Sequence, residues 1–429
     1  VADLAQGLNK RVAVIGAGWA GLAAAVTLAE RGAEVAVYEA ARHVGGRARR
    51  VEIRGKALDN GQHILVGAYH ETLRLMRQVG VDPEQMLLRL PLQLVMADGF
   101  RLRGYGLSPP LDGLLALATA RGLRLAQRWR AILFALRLQR SGFRLPQDEP
   151  LAALLERHGQ DGALRQALWG PLCVAALNTR VEEASAQVFL HVLRDTLHGG
   201  RGASDLLLPR ASLGALFPEP AVRYVAERNG AVHEGKAIRR IERSGDRYVL
   251  DGEVYDAVIV ATGAQHAADL LPEGCETVRA QIEALDFQPI YTCYLQYEAH
   301  VRLPFPMLGF RYGLLQWVFD RGTLDGHQGL IAAVISARGP HEALSNEELA
   351  NAASATLQEV LGHPGAPQWH RVIAEKRATF ACRPGLERPD NETPLPGLYL
   401  AGDYTRSDYP GTIEAAVRSG IRAAALCLA

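Results

Sequence analysis

The sequence predicts an α/β fold in which a Rossmann-like dinucleotide-binding domain is joined to a second, discontinuous α+β domain. Three observations lead there. The chain has 429 residues, too many for one compact core, so two domains are expected. Near its start, a short apolar strand runs into closely spaced glycines and then into a helix-forming stretch. Two more apolar strand-like segments, 255–263 and 397–403, come much later, so the first domain must be assembled from separated pieces.

The opening unit has each part in place. Arg11-Val-Ala-Val-Ile15 reads as a buried parallel strand, Gly16-Ala-Gly18-Trp19-Ala20-Gly21 follows at once, and residues 22–31 have helical composition. Residues 35–38 make a second strand ending at Glu39. Gly16 permits the tight turn, Gly18 lets backbone approach a pyrophosphate, and Gly21 allows close helix–strand packing. The helix N-terminus then faces the phosphate charge, and Glu39 is placed to accept from ribose hydroxyls.

Composition excludes several other classes. The net charge of +1 gives no footing for nucleic acid as a partner. Five widely separated cysteines form no CxxC pair, which fits a reducing cytosol. The histidines show no metal-ligand spacing, so no metal is expected. The uncharged stretch 12–29 reads as strand–turn–helix and not as a membrane span or signal segment.

Val44-Gly45-Gly46-Arg47-Ala48 follows soon after Glu39. It resembles the GGR signature of the FAD-dependent amine oxidase and carotenoid desaturase superfamily. That resemblance implies FAD and a fold of the glutathione reductase-like, amine oxidase type. It also implies that Gly45 and Gly46 bring a loop under the pyrophosphate and that Arg47 supplies charge to flavin or phosphates. Residues 231–238 resemble the strand that passes the adenine, with Ala237 as its contact. Residues 255–263 resemble the closing ATG strand, with Thr262 and Gly263 at the cofactor. The strand at 397–403 ends in Gly402-Asp403, where Asp403 would meet the ribityl chain or pyrophosphate water. Gly411-Thr412-Ile413 opens the last helix, whose backbone N–H groups would face the flavin N1–O2 edge.

These pieces place residues 1–80, 205–280 and 385–429 in the FAD domain, and 81–204 and 281–384 in the substrate domain. Alternation at 291–297 and 314–319 predicts strands there. Residues 111–145 carry apolar side chains at helical spacing among Arg121, Arg124, Arg128, Arg130, Arg137, Arg140 and Arg144. No acidic residue occurs between Gly113 and Gln147. A basic amphipathic helical pair of this kind can rest on an anionic membrane surface, placing the protein in the cytoplasm against the inner face of the membrane.

Amine oxidases flank the flavin with aromatic rings, whereas Thr412 stands where one would originate. Only Lys376 of the four lysines lies in the substrate domain. Residues 401–416 and 57–63 resemble the phytoene desaturase type instead. Asp59-Asn60-Gly61-Gln62-His63, with Trp19 in the glycine loop, is similar to the squalene-associated FAD-dependent desaturases of bacterial hopanoid clusters, the hydroxysqualene dehydroxylases. That family resemblance implies loss of an allylic hydroxyl and gain of hydride, turning hydroxysqualene into squalene. It implies an apolar isoprenoid substrate and, with a single dinucleotide fingerprint, an external electron donor or reductase. Gly61, Gln62 and His63 would border the flavin. His63 is the first candidate for proton donor, with a backbone-binding structural role as its alternative. Tyr409 is a second candidate; Asp403 and Glu414 have cofactor or cap-region roles open to them. A desaturase acting on a polyisoprene is the competing reading.

Overall fold

The computed structural model describes residues 10–429, so the first nine residues of the 1–80 segment lie outside the described residues. A parallel sheet carries strands in the order Ala231–Glu234, Glu34–Glu39, Arg11–Ile15, Ala257–Val260 and Leu398–Leu400. Arg11–Ile15 lies central and is hydrogen-bonded on both sides, with Ile15 opposite Tyr38 and Val260. Its apolar run is what a strand covered on both faces requires. Helix Trp19–Glu30 covers one face and packs against the final helix, Ile413–Leu428. Their approach is close enough that a Cβ on Gly420 would stand 2.0 Å from the Ala20 carbonyl oxygen.

The second large sheet is antiparallel, ordered Met307–Gly309, Trp317–Asp320, Leu330–Ser336, Phe287–Gln296 and Trp369–Phe380. Period-two alternation divides its side chains between two cores. Tyr291, Cys293, Leu295, Ile331, Ala333 and Ile335 pack with helix Asn346–Leu357. Tyr294, Trp317, Phe319, Ala332 and Val334 face the other way, into a core shared with helices Leu111–Thr119, Leu125–Arg140, Gly170–Leu177 and Ala186–His198. The strand expected at 314–319 begins only at Trp317. Gly313, at φ +90°, turns the chain just before it, and the chain rejoins the sheet at Gln316, whose N–H donates to the Val334 carbonyl and whose side chain accepts from the Ser336 N–H.

A small sheet joins Leu65–Val66, Leu206–Pro209 and Leu87–Leu90. It straddles the positions 80/81 and 204/205, holding the beginning and middle of the chain together. The arginine-rich segment forms two helices, Leu111–Thr119 and Leu125–Arg140, packed on each other. Among the described residues, no helix is long and apolar enough to cross a membrane.

Candidate active site

Two glycine loops meet at the carboxyl edge of the parallel sheet. Gly16 has φ +107°, and a Cβ there would sit 2.7 Å from the Ala261 carbonyl oxygen. Gly18 caps helix Trp19–Glu30 and bridges to Gly45, whose N–H donates to the Ala17 carbonyl at 2.8 Å. A Cβ on Gly46, at φ +60°, would stand 3.3 Å from the Gly18 Cα. Side chains at these positions would fill the space over the helix N-terminus, where an anionic group is favoured. Gly21 does a different job: a Cβ on it would lie 1.9 Å from the Gly16 carbonyl oxygen, so it sets helix–strand separation.

Around this cradle lies a cavity of about 790 Å³, within the range of small-molecule and cofactor sites. Every expected cofactor residue except Gly21 lines it: Gly16, Gly18, Trp19, Ala20, Glu39, Gly45, Gly46, Arg47, Gly61, Gln62, His63, Ala237, Thr262, Gly263, Gly402, Asp403, Gly411, Thr412 and Ile413. Glu39 accepts from the Ala17 and Ala41 N–H groups, both at 2.8 Å. A carboxylate has about four acceptor positions, so lone pairs remain for ribose hydroxyls. Thr262 Oγ1 is buried without a hydrogen-bond partner, an orphan that a bound polar group would satisfy. The glycine cradle, the helix N-terminus, the ribose-facing acid and this orphan hydroxyl fit FAD.

Arg47 is more committed than its motif suggested. Its guanidinium donates to Asp403 Oδ1 at 2.5 Å and to the Ala378 carbonyl at 2.7 Å. The pair therefore ties the GGR loop to the closing Gly-Asp loop. Glu414 is fully buried, but it caps a different helix, His70–Gln78. It accepts from the Glu71 and Thr72 N–H groups, the Thr72 hydroxyl and Arg418.

His63 lines the cavity as expected, and its hydrogen bond is the one that the backbone-binding alternative calls for. Its Nδ1 lies 2.8 Å from the Gly61 carbonyl, which can only accept, so Nδ1 carries the hydrogen. Burial pushes the imidazole below its ordinary range, and the Arg47 charge adds to this against the Gly61 hydrogen bond. In this tautomer the Nδ1 hydrogen is committed to the backbone and Nε2 presents a lone pair, and the lowered pKa favours the neutral ring.

A second cavity, about 240 Å³, is lined almost wholly by apolar side chains such as Leu114, Leu117, Leu138, Phe143, Leu168 and Phe189. It adjoins the first: Ile64, Tyr69, Ala175, Ala176, Trp317 and Thr412 line both. Tyr69, which no motif marked, stands at this junction. Burial and the nearby Glu414 carboxylate push its phenol far above the usual range, so it keeps its proton at any working pH. Tyr409 lies in the apolar cavity and donates to Asp195 Oδ2 at 2.6 Å. Its phenol is likewise pushed up, by burial and then by Asp195. The expected candidates thus separate: His63 borders the first cavity, Tyr409 the second.

The family described as flavin containing amine oxidoreductase matches residues 19–428. A hydroxysqualene dehydroxylase of Rhodopseudomonas palustris is 31% identical, covering 98% of this chain and 99% of its own. A probable zeta-carotene desaturase of Synechococcus elongatus is 26% identical over 96% of this chain and 98% of its own. Among solved structures, a putative protoporphyrinogen oxidase from Exiguobacterium superposes with a TM-score of 0.70 at 20% identity, covering 97% of this chain and 98% of that one. Matching nearly end to end and carrying the glycine cradle in its fold, the chain belongs to the flavin containing amine oxidoreductase family and is an FAD-dependent oxidoreductase akin to the hydroxysqualene dehydroxylases.

Proposed function

We propose that this enzyme removes the allylic hydroxyl of hydroxysqualene reductively, giving squalene and water. The observation that carries the reading is the apolar cavity running into the cofactor cavity at Tyr69, Trp317 and Thr412. A hydrocarbon-like chain fits the first, and its reacting carbon then reaches the second. The likeness to hydroxysqualene dehydroxylases over the whole chain supports the same substrate class.

Gly16, Gly18, Trp19, Ala20, Gly45 and Gly46 would hold the pyrophosphate, and Glu39, Ala237, Thr262 and Gly263 the adenosine side. Gly402, Asp403 with Arg47, Gly411, Thr412 and Ile413 would hold the ribityl and ring side, with Gly61, Gln62 and His63 beside them. Bound and reduced, FAD supplies the hydride that replaces the hydroxyl. Tyr69 holds a proton at Oη where the two cavities meet. Even a phenol of raised pKa passes its proton favourably to a departing hydroxide, since water itself is a weaker acid. Leu94, Leu117, Leu168 and Trp317 exclude bulk water that would otherwise recapture an allylic cation. Electrons come from an external donor or reductase, because the sequence holds a single dinucleotide fingerprint.

The protein works against an anionic membrane on the cytoplasmic side. Leu125, Trp129 and Leu133, at 72, 63 and 62% exposure, follow one another at four-residue spacing along one face of helix Leu125–Arg140. Exposed arginines 121, 124 and 130 surround them. Arg128 does not belong to that set. It donates to the Leu123 and Ala118 carbonyls and fastens the helix pair. Ala135, Leu138 and Gln139 of the same helix line the apolar cavity, so a membrane bound at that face would lie close to the substrate.

The direct test is anaerobic. Chemically reduced protein is mixed with hydroxysqualene while flavin absorbance and squalene are followed. Reoxidation matched by squalene is expected; a flavin that stays reduced with no squalene refutes the reading. The likeness to a probable zeta-carotene desaturase keeps one alternative, removal of hydrogen from a polyisoprene. Bleaching of the oxidised enzyme by phytoene or squalene would favour it.

A further inference from the structure

The apolar cavity contains one charged residue. Among the described side chains that line it, Asp195 is the one acidic group, and no lysine or arginine accompanies it. Its side chain is 24% exposed, and both of its oxygens are hydrogen-bonded. Asp195 lies on helix Ala186–His198, whose Phe189, Val192 and Leu193 also face the cavity. Its Oδ1 accepts from Arg194 Nε at 2.8 Å and its Oδ2 from the Tyr409 hydroxyl at 2.6 Å. Tyr409 is itself fixed from behind. Arg388 donates to its carbonyl at 3.1 Å, and the Arg418 guanidinium lies 4.9 Å from its ring centroid.

This arrangement settles the direction of one hydrogen bond. A carboxylate only accepts, so the Tyr409 proton is committed to Asp195. The phenol oxygen is left with lone pairs and no donor to offer. It suits a partner that brings its own hydrogen, which an alcohol does and a hydrocarbon does not. We propose that Asp195 is a positioning residue which, by holding the Tyr409 hydroxyl as an acceptor, makes the cavity selective for a hydroxylated polyisoprenoid over the corresponding hydrocarbon. The substrate hydroxyl donates to Tyr409 Oη and keeps its own lone pairs free to take up a proton as it departs. The product, lacking the hydroxyl, loses that bond and leaves more readily. The idea rests on the dehydroxylase reading for its substrate, but selectivity is visible in binding alone.

The test uses the FAD-loaded, oxidised enzyme in detergent. Binding of hydroxysqualene and of squalene is titrated separately through the perturbation of flavin absorbance. The wild type is expected to prefer the alcohol by about tenfold, the worth of one buried hydrogen bond. Tyr409→Phe should abolish that preference while leaving squalene affinity and FAD content unchanged, and Asp195→Ala should weaken it, because nothing then fixes the Tyr409 hydroxyl as an acceptor. Asp195→Asn, whose side-chain oxygen can still accept from the phenol, should retain most of it. Equal binding of both ligands by the wild type overturns the proposal, as does a preference that survives in Tyr409→Phe or is undiminished in Asp195→Ala. An equal loss of affinity for both ligands also overturns it, since that marks a merely structural role. A wild type that prefers the alcohol yet forms no squalene when reduced refutes the dehydroxylase reading and supports this one.

Discussion

Replacing Arg321 with methionine tests the charge cluster that joins the cofactor loops to the second sheet. Arg321 is fully buried. It donates to Gln62 Oε1 at 2.7 Å, pairs with Asp325 and stands 3.6 Å from Asp59 Oδ2. Asp59 also accepts from the Leu213 N–H at 2.7 Å, and its carbonyl receives the Tyr294 hydroxyl. Arg321→Met keeps most of the volume but strands two carboxylates, at 1 and 7% exposure. Breaking a buried pair this way costs about 3–5 kcal/mol, a fall of some two to three and a half powers of ten in the folding constant. Burial already pushes the Asp59 carboxyl up to about 6 with Arg321 opposing it, so without the arginine it rises further.

The sign of the pH dependence follows. At neutral pH the folded variant holds protons that its unfolded chain has released, so its stability falls as pH rises, by about 1.4 kcal/mol per unit for each titrating carboxyl. Urea unfolding of FAD-loaded wild type and variant, followed by tryptophan fluorescence at pH 5.5, 7 and 8, reads this directly. The deficit should be largest at pH 8 and shrink toward pH 5.5. Adding Asp59→Asn and Asp325→Asn should recover more than half of it, because a neutral cluster has no stranded charge. A deficit under about 1 kcal/mol at pH 8, or one that grows on acidification, refutes the reasoning.

Four further outcomes can be checked. Tyr69→Phe should keep its FAD and lose about 10²-fold or more in turnover; near-normal turnover removes Tyr69 as proton donor. Thr262→Val should weaken FAD binding by about five- to tenfold in a fluorescence titration, with apoprotein stability unchanged, because its orphan hydroxyl has a partner only when the cofactor is bound. Gly21→Ala places a methyl against the Gly16 carbonyl. It should cost about 3 kcal/mol or more and abolish FAD retention, so a yellow, normally stable variant would contradict the packing role. Replacing Leu125, Trp129 and Leu133 together by serine should abolish flotation with anionic liposomes and leave the urea midpoint within about 0.5 kcal/mol of wild type. Undiminished flotation would rule out this face as the docking surface.

The parts of the site that could be read from sequence share one property: their constraint is local. Gly16 is required by its own turn, at φ +107°, and Gly21 by the Gly16 carbonyl oxygen five residues earlier, so their spacing survives as a pattern. What could not be read is set by partners far away in the chain. Arg47 was legible as part of a motif, but its pairing with Asp403, 356 positions later, was not. The loop 59–63 was recognised without its anchor, since a single arginine at 321 has no neighbours that announce it. His63 illustrates the same limit in protonation, because its tautomer is decided by the Gly61 carbonyl and its lowered pKa by burial. Asp195 carries a faint signal in the sequence. It follows Val192 by three residues, so it lies on the apolar face of an amphipathic helix, where a carboxylate has no business unless something meets it. A charge on the wrong face of a helix is therefore a better pointer to a site in an apolar cavity than the identity of the residue that finally touches the ligand. Here it leads to Tyr409 through a bond that periodicity predicts nothing about.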